Sequence, residues 1–500
     1  MFKPAAIFSD HMVLCHGKEA RIFGCAPSGC PVTATVTDHR GECIAKACDT
    51  AQDGRFLLHL PPMKPQTGCA LILACGNDTR LIRDVAIGEV LLAGGQSNME
   101  LEIQNADEGQ ELIPVHNDPD LRFFNVPKQP VWNEAAIAAE ENSRWQVLAP
   151  GGCRDVSAVA YFCALKLRAE KNIPVGVIDC YWGGTSASCW MDEEALLRTR
   201  AGQFYLSSYQ AMYSHVTPEQ FDQAQKEYDV RLAAYNQRVN ALKAENPAIS
   251  QTELNEKAGL YPWPPPAGCK SPFRPAGLCE TMLKRVVPYT LSAALYYQGE
   301  EDASRPNYYE SLLSSLVIRW REFFMDDDLP FVNVQLPMFI GKGAQDDKTW
   351  PIVRQAQHRV WRTLRNTGLA VLIDCGEFDN IHPTDKRTPG ERLCDQLLPL
   401  LYGGPAKESP RAVAKYAEGN VLTVRLSAPV QAKDGPADLF EIAGKDGIFY
   451  PADAVADGEL IHLSAKEVPR PVMARYAWVN YGVVHLFGDN GLPLAPFLID

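Results

Sequence analysis

Val90-Leu91-Leu92-Ala93-Gly94-Gly95-Gln96-Ser97-Asn98-Met99 is the stretch that decides the fold of this 500-residue chain. Residues 90–93 form a short apolar run closed by a glycine pair, which reads as a strand buried on both faces. Four similar runs follow at residues 175–179, 293–297, 331–336 and 370–374. Segments with helical periodicity lie between or after them, at 158–171, 308–324, 352–365 and 390–401. Apolar strands alternating with amphipathic helices predict an α/β unit with a parallel sheet covered on both faces. Ligands of such sheets bind beyond the carboxyl ends of the strands, so the residues just after each strand are where chemistry is expected.

Outward from this core the pattern changes. Residues 1–85 show short alternating runs at 20–23, 32–36 and 56–60, divided by Pro27-Ser28-Gly29, Asp53-Gly54 and Gly76-Asn77-Asp78. This spacing predicts an N-terminal β-sandwich domain. The same texture returns at 421–426, 439–442, 460–463 and 476–479, predicting a C-terminal β-rich domain over 406–500, with the catalytic domain over 86–405. An insertion at about 217–260 opens on Thr217-Pro218-Glu219-Gln220, a capping box with proline at the first helical position. Phe221, Ala224, Tyr228, Leu232, Tyr235, Val239 and Leu242 then recur at helical steps, and a shorter helix is expected at 251–258. Tyr261-Pro262-Trp263-Pro264-Pro265-Pro266 brings the chain back. Tyr261 and Trp263 could line a sugar site, but packing of the hairpin on its own domain or on another subunit is the preferred reading.

Composition excludes several function classes. Lys+Arg 48 against Asp+Glu 61 leaves a net charge of -13, which opposes binding to nucleic acid or to an anionic membrane. No run reaches the roughly 18 apolar residues of a membrane span. The start, Met1-Phe2-Lys3-Pro4, lacks a signal-peptide pattern, so a cytoplasmic location is expected, or secretion if a signal has been removed. The 15 cysteines are odd in number. Cys25/Cys30 and Cys43/Cys48 form two C-x4-C pairs of the kind that can hold zinc, but they sit among strand-like residues, so free thiols and a reducing compartment are expected.

The strand ends carry a constellation. Ser97 follows the first strand at a strand-to-helix turn, where backbone N–H groups are free. Tyr181-Trp182-Gly183-Gly184-Thr185 follows the second and Gln298-Gly299-Glu300 the third. Gly376-Glu377-Phe378-Asp379-Asn380-Ile381-His382-Pro383 follows the fifth. A serine needs a base to take its proton, the base needs a carboxylate to orient it, and the tetrahedral intermediate needs donors for its oxyanion. Ser97, His382 and Asp379 are candidates for the first three roles, and Gly183, Gly184 and Gln298 for the last. Each fragment alone is commonplace, and Met99 stands where the strained Gly-x-Ser-x-Gly elbow would have glycine. Their convergence on one sheet edge points to acyl transfer.

The order Gly-Gln-Ser-Asn-Met, Trp-Gly-Gly-Thr, Tyr-Gln-Gly-Glu and Asp-x-x-His-Pro resembles the SGNH hydrolase superfamily, specifically its sialate O-acetylesterase family. Phe8-Ser9-Asp10-His11-Met12-Val13-Leu14 and the ending Gly491-Leu492-Pro493-Leu494-Ala495-Pro496-Phe497 extend the likeness over nearly the whole chain. The resemblance implies a flavodoxin-like three-layer core flanked by β-sandwich regions. It makes Ser97 the nucleophile, His382 the general base and acid, and Asp379 the orienting carboxylate, with Glu377 as the alternative. It assigns the oxyanion to the Ser97 amide, to Gly183 or Gly184, and to the Gln298 side chain, and leaves Glu300 to order its block. Where the family usually continues Ser-Asn-Ala, this chain has Glu301-Asp302-Ala303, which places two extra carboxylates near the mouth. The implied activity is removal of O-acetyl groups from a sugar through an acetyl-serine, with sialate as the first substrate and acetylated xylan or another hemicellulose oligosaccharide as the alternative. No cofactor or metal is expected. The expected partner is a small acetylated sugar or oligosaccharide, and a homo-oligomer is compatible with the sequence. From another class, the rival reading is an inactive carbohydrate-binding protein.

Overall fold

A computed structural model describes residues 1–247 and 249–500. The central strands are β1 (Asp78–Gly95), β2 (Asp118–Asn125), β3 (Trp145–Leu148), β4 (Val175–Tyr181), β5 (Ala293–Tyr297), β6 (Phe331–Gln335) and β7 (Thr367–Val371). They lie side by side in the order β3-β2-β4-β1-β5-β6-β7, within a larger mixed sheet. All neighbours on this path run parallel except β3, which is antiparallel to β2. Every residue of β4, β5 and β6 is buried. Since successive side chains point to opposite faces, this requires cover on both sides of the sheet. Helices α2 (Ala158–Lys171), α5 (Pro306–Phe323), α6 (Thr349–Thr363) and α7 (Arg387–Tyr402) supply it, with α2 packed on α7 and α5 on α6.

The chain leaves β1, fills β4 on one side, then crosses to β5 on the other. That reversal opens a crevice at the carboxyl end of β1, where Ser97 sits. The strand expected at 370–374 is instead Thr367–Val371, and Asp374 beyond it is held by Arg392 at 2.6 and 2.7 Å. β2 and β3 are additions to the expected sheet. β2 carries a buried arginine, Arg122, whose guanidinium is bonded to His11 O and Asp84 Oδ1 at 3.1 Å each, so no apolar run advertises it.

The N-terminal region is built of strands throughout. Pro31–Thr37 pairs with Cys43–Thr50 and with Gln66–Cys75, and the latter pairs antiparallel with the first part of β1. The 18-residue β1 then continues into the central sheet, so the boundary expected after residue 85 falls inside one unbroken strand. The C-terminal region forms two four-stranded sheets and a two-stranded one. Its core includes Val424, Ile442, Ile461 and Tyr476 and merges with Met338, Leu369, Val371 and Ile373 from the central unit. No helix among the described residues is long and apolar enough to cross a membrane.

The insertion forms α3 (Pro218–Glu245) and α4 (Gln251–Ala258). The capping box is complete: Gln220 N–H donates to Thr217 Oγ1 at 3.2 Å, and Thr217 N–H donates to Gln220 Oε1 at 2.9 Å. Of the apolar face of α3 only Phe221 and Tyr228 are fully buried. The rest is half-covered, because the helix lies over the crevice rather than in the core.

Candidate active site

Ser97 begins α1 (Ser97–Glu100), a single turn directly after β1. Gly95 makes the approach possible: its φ is +135°, and a Cβ there would stand 2.1 Å from Tyr297 O. Ser97 Oγ lies 2.8 Å from His382 Nε2, on the loop after β7. Asn98 fixes this approach. Its Nδ2 donates to Glu300 Oε1 at 2.7 Å and to Ile381 O at 3.0 Å, while its Oδ1 accepts from Lys386 Nζ at 2.7 Å. One buried amide thus ties the serine turn to the loop after β5, to the histidine loop and to the start of α7. Burial raises the Glu300 carboxyl above its usual range and lowers the Lys386 ammonium to about 8.

His382 has a pKa pushed down to about 4, first by the loss of water around the ring within the cleft and second by the charge of Lys386. The residue as a whole nevertheless remains exposed to solvent. No carboxylate offsets the shift, because the expected third member of the triad is turned elsewhere. Asp379 Oδ1 accepts from Lys342 N at 2.8 Å, and its Oδ2 accepts from Asn255 Nδ2 at 3.3 Å. Its backbone is held in the left-handed region, with φ +59°, and its carbonyl also accepts from Asn255 at 3.1 Å. Glu377 instead accepts from Asn380 Nδ2 at 2.7 Å. Neither carboxylate is bonded to His382. Capture by α4 and by the loop after β6 engages the Asp379 carboxylate instead.

The oxyanion candidates divide in the same way. Gln298 is fully buried and lies outside the cleft lining. Its Nε2 donates to Asp302 Oδ2 at 2.7 Å and to Gln96 Oε1 and Thr185 O at 3.2 Å each, and its Oε1 accepts from Tyr309 Oη at 3.0 Å. Its amide is thus engaged within the protein rather than at the cleft lining. Gly183 packs directly on Ser97: a Cβ there would be 3.2 Å from Ser97 Cβ and 3.1 Å from Glu100 Oε2. Its N–H donates to Glu100 Oε2, and Glu100 pairs on its other oxygen with Lys128. Gly184, with φ +71°, lies under the indole of Trp263.

Sequence reasoning passed over Gln96. Its Oε1 collects Gln298 Nε2 at 3.2 Å and Glu301 N at 3.3 Å, and the residue lines the cleft beside Ser97. The signal was its place in the Gly-Gln-Ser-Asn-Met block. Asp302 also proved internal: it accepts from Ser186 Oγ at 2.7 Å, Ala187 N at 2.9 Å and Tyr205 Oη at 2.5 Å. Of the two extra carboxylates only Glu301 lines the cleft, with its pKa raised to about 7 by burial and by Asp302.

The cleft encloses about 1100 Å³. Ser97, His382 and Gly183 form its floor, and the insertion contributes Tyr228, Tyr261 and Trp263 to its wall. All 15 cysteines are free thiols.

Residues 276–398 match the family model described as a carbohydrate esterase, sialic acid-specific acetylesterase. That segment holds Gln298, Asp379 and His382 but stops short of Ser97. Longer matches cover it. The chain is 24% identical to mouse sialate O-acetylesterase over 99% of its own length and 94% of the mouse protein. It is 25% identical to the human sialate O-acetylesterase over 88% of its length and 80% of that protein. The crystal structure of a carbohydrate acetylesterase from Xanthomonas citri superposes with a TM-score of 0.77 at 25% identity, covering 100% of this chain and 99% of that one. The chain is similar over nearly its whole length to sialate O-acetylesterases. This similarity agrees with the resemblance drawn from the four sequence blocks, and the full-length matches extend it through both flanking β regions.

Proposed function

We propose that this chain is a serine esterase that removes O-acetyl groups from carbohydrates, acting through Ser97 and His382. The observation that carries the reading is the 2.8 Å contact between Ser97 Oγ and His382 Nε2. It lies in a cleft at the point where the strand order reverses, in a chain similar to acetylesterases. Ser97 Oγ attacks the acetyl carbonyl as neutral His382 takes its proton. The tetrahedral intermediate then collapses, the C–O bond to the sugar breaks, and His382 returns the proton to the departing sugar oxygen. Water, deprotonated by His382, attacks the acetyl-serine and releases acetate. The Ser97 N–H and the Gly183 N–H face the developing oxyanion, the latter exchanging the Glu100 carboxylate for it, and Gln96 takes the side-chain position assigned to Gln298 by resemblance. With Asp379 and Glu377 turned away, proton transfer rests on the serine–histidine pair. In this reading the core is a flavodoxin-like hydrolase unit and the two flanking β regions are sandwiches.

The test is acetate release from 4-nitrophenyl acetate and from 9-O-acetyl sialic acid by the wild type and Ser97→Ala. Release by the wild type, with a loss of about a thousandfold or more in the variant at unchanged folding, is the expected result. Equal release by both proteins would overturn the reading.

A further inference from the structure

Four aromatic rings line up from the nucleophile outward. Trp263 stands edge-on to Phe273, with ring centroids 5.6 Å apart, and lies over Gly184 so closely that a Cβ there would be 2.7 Å from the indole. Tyr261 stacks beyond Trp263 at 6.5 Å, and Tyr235 of α3 meets Tyr261 edge-on at 5.3 Å. Trp263 and Tyr261 are 46% and 48% exposed, although both belong to a wall of the cleft. Isolated exposed aromatics are ordinary on a protein surface, but a braced row that starts beside a catalytic serine and leads out of its cleft is not. Their neighbours fix the rings, so a flat partner meets a surface already in place. Flat, partly apolar rings carrying hydroxyl groups at their edges fit such a surface: the C–H face lies on the aromatic ring and the hydroxyls stay in water.

Charge restricts what those rings can carry. The cleft lining includes Glu100, Glu102, Asp229, Glu300 and Glu301, against Lys270 as its lysine. Lys270 is paired with Asp222 at 2.8 Å, and Lys128 at the edge is paired with Glu100. A carboxylate on a sugar lying along the strip would meet, among the described residues lining the cleft, no unpaired lysine or arginine, and an unpaired charge taken from water is costly.

Resting on the esterase reading above, we propose that Trp263 and Tyr261 form a subsite for uncharged sugar rings attached to the acetylated one, so that the preferred substrate is an oligosaccharide rather than a single sugar. The acetylated ring sits at Ser97 and His382, and its neighbours leave the cleft over the strip. The insertion is thereby the part of the chain that reads substrate length.

Calorimetric titration of the Ser97→Ala protein with xylose, xylotriose and trigalacturonate reads the strip without catalysis. Xylotriose is expected to bind at least tenfold more tightly than xylose and than trigalacturonate, and Trp263→Ala or Tyr261→Ala added to Ser97→Ala should remove most of that advantage. Equal affinity for xylose and xylotriose, or an advantage untouched by both aromatic substitutions, would overturn the subsite. In the active protein, kcat/KM for O-acetylated xylotriose relative to 4-nitrophenyl acetate should fall about tenfold on Trp263→Ala. Failure of the wild type to cleave 4-nitrophenyl acetate would count against the esterase reading alone, because the binding series stands without it.

Discussion

Acidification should leave the esterase active well below the pH at which an ordinary histidine would have stopped working. In the proposed mechanism His382 acts as the base only when neutral, so protonation ends activity as the pH falls through its pKa. Loss of water around the ring and the nearby Lys386 charge lower that pKa from 6.5 to about 4. Water around the exposed residue works against the shift, which makes about 4 its lower bound. At pH 5 a group with that pKa is about nine-tenths neutral, whereas one at 6.5 is only about 3% neutral, a difference of roughly thirtyfold in competent enzyme. The assay is kcat/KM for 4-nitrophenyl acetate from pH 3.5 to 8, since that ratio reports the ionisations of the free enzyme. Glu301, with its pKa raised to about 7, also titrates in the cleft, so the Glu301→Gln variant identifies its contribution. The acid limb is expected between about 4 and 5 and should not move in Asp379→Asn, because the Asp379 carboxylate rests on Lys342 N and Asn255 rather than on the ring. A limb above 6.5 that drops in Asp379→Asn would refute the argument, since only a carboxylate on His382 raises its pKa in that way.

Gln298→Ala distinguishes a structural amide from an oxyanion donor. The substitution removes the Gln298 Nε2 donor to Asp302 Oδ2 at 2.7 Å, leaving that oxygen Ala187 N at 2.9 Å, and removes the side-chain acceptor of Tyr309 Oη at 3.0 Å, leaving it the backbone carbonyl of residue 298 at 2.9 Å. Each lost buried hydrogen bond costs about 0.5–1.5 kcal/mol, so a lower unfolding midpoint in thermal denaturation is expected; a large loss of kcat with unchanged stability would support the catalytic role. Gly183→Ala puts a methyl group 3.2 Å from Ser97 Cβ and 3.1 Å from Glu100 Oε2. A fall in kcat of about tenfold to a hundredfold is expected, with little change in stability as followed by circular dichroism, and wild-type turnover would separate Gly183 from the oxyanion.

The parts of this molecule legible in its sequence are those set by local pattern. The buried strands announced themselves as apolar runs, and the α3 cap was readable because Thr217 and Gln220 satisfy each other within one turn. Ser97 and His382 could be paired because both follow strands of one parallel sheet. What escaped depends on partners far away in the chain. The direction of Asp379 is decided by Asn255, 124 positions away, and by Lys342, 37 positions away. Asn98 joins Glu300 and Lys386 across separations of 202 and 288. β2 stayed hidden because Arg122 interrupts its apolar pattern, and its burial is tolerable only through acceptors on His11, Asp84 and Pro119. Tyr261 and Trp263 were visible as residues, but their direction depends on how the insertion folds over the crevice.

The long strand β1 has a bearing on how the molecule assembles. Its early residues pair with Gln66–Cys75 close by in the chain, while its final residues pair with β5, with Ala293 opposite Leu91 and Tyr297 opposite Gly95. The first pairing is a local hairpin that can form quickly, whereas the second must wait for some 200 intervening residues and their loop closure. Only then is Gly95 pressed against Tyr297, and Ser97 turned towards a histidine loop that emerges later still. A ribosome-bound chain would therefore own a folded amino-terminal hairpin long before it owned a reactive serine, and one rigid ribbon would carry the early structure into the late one.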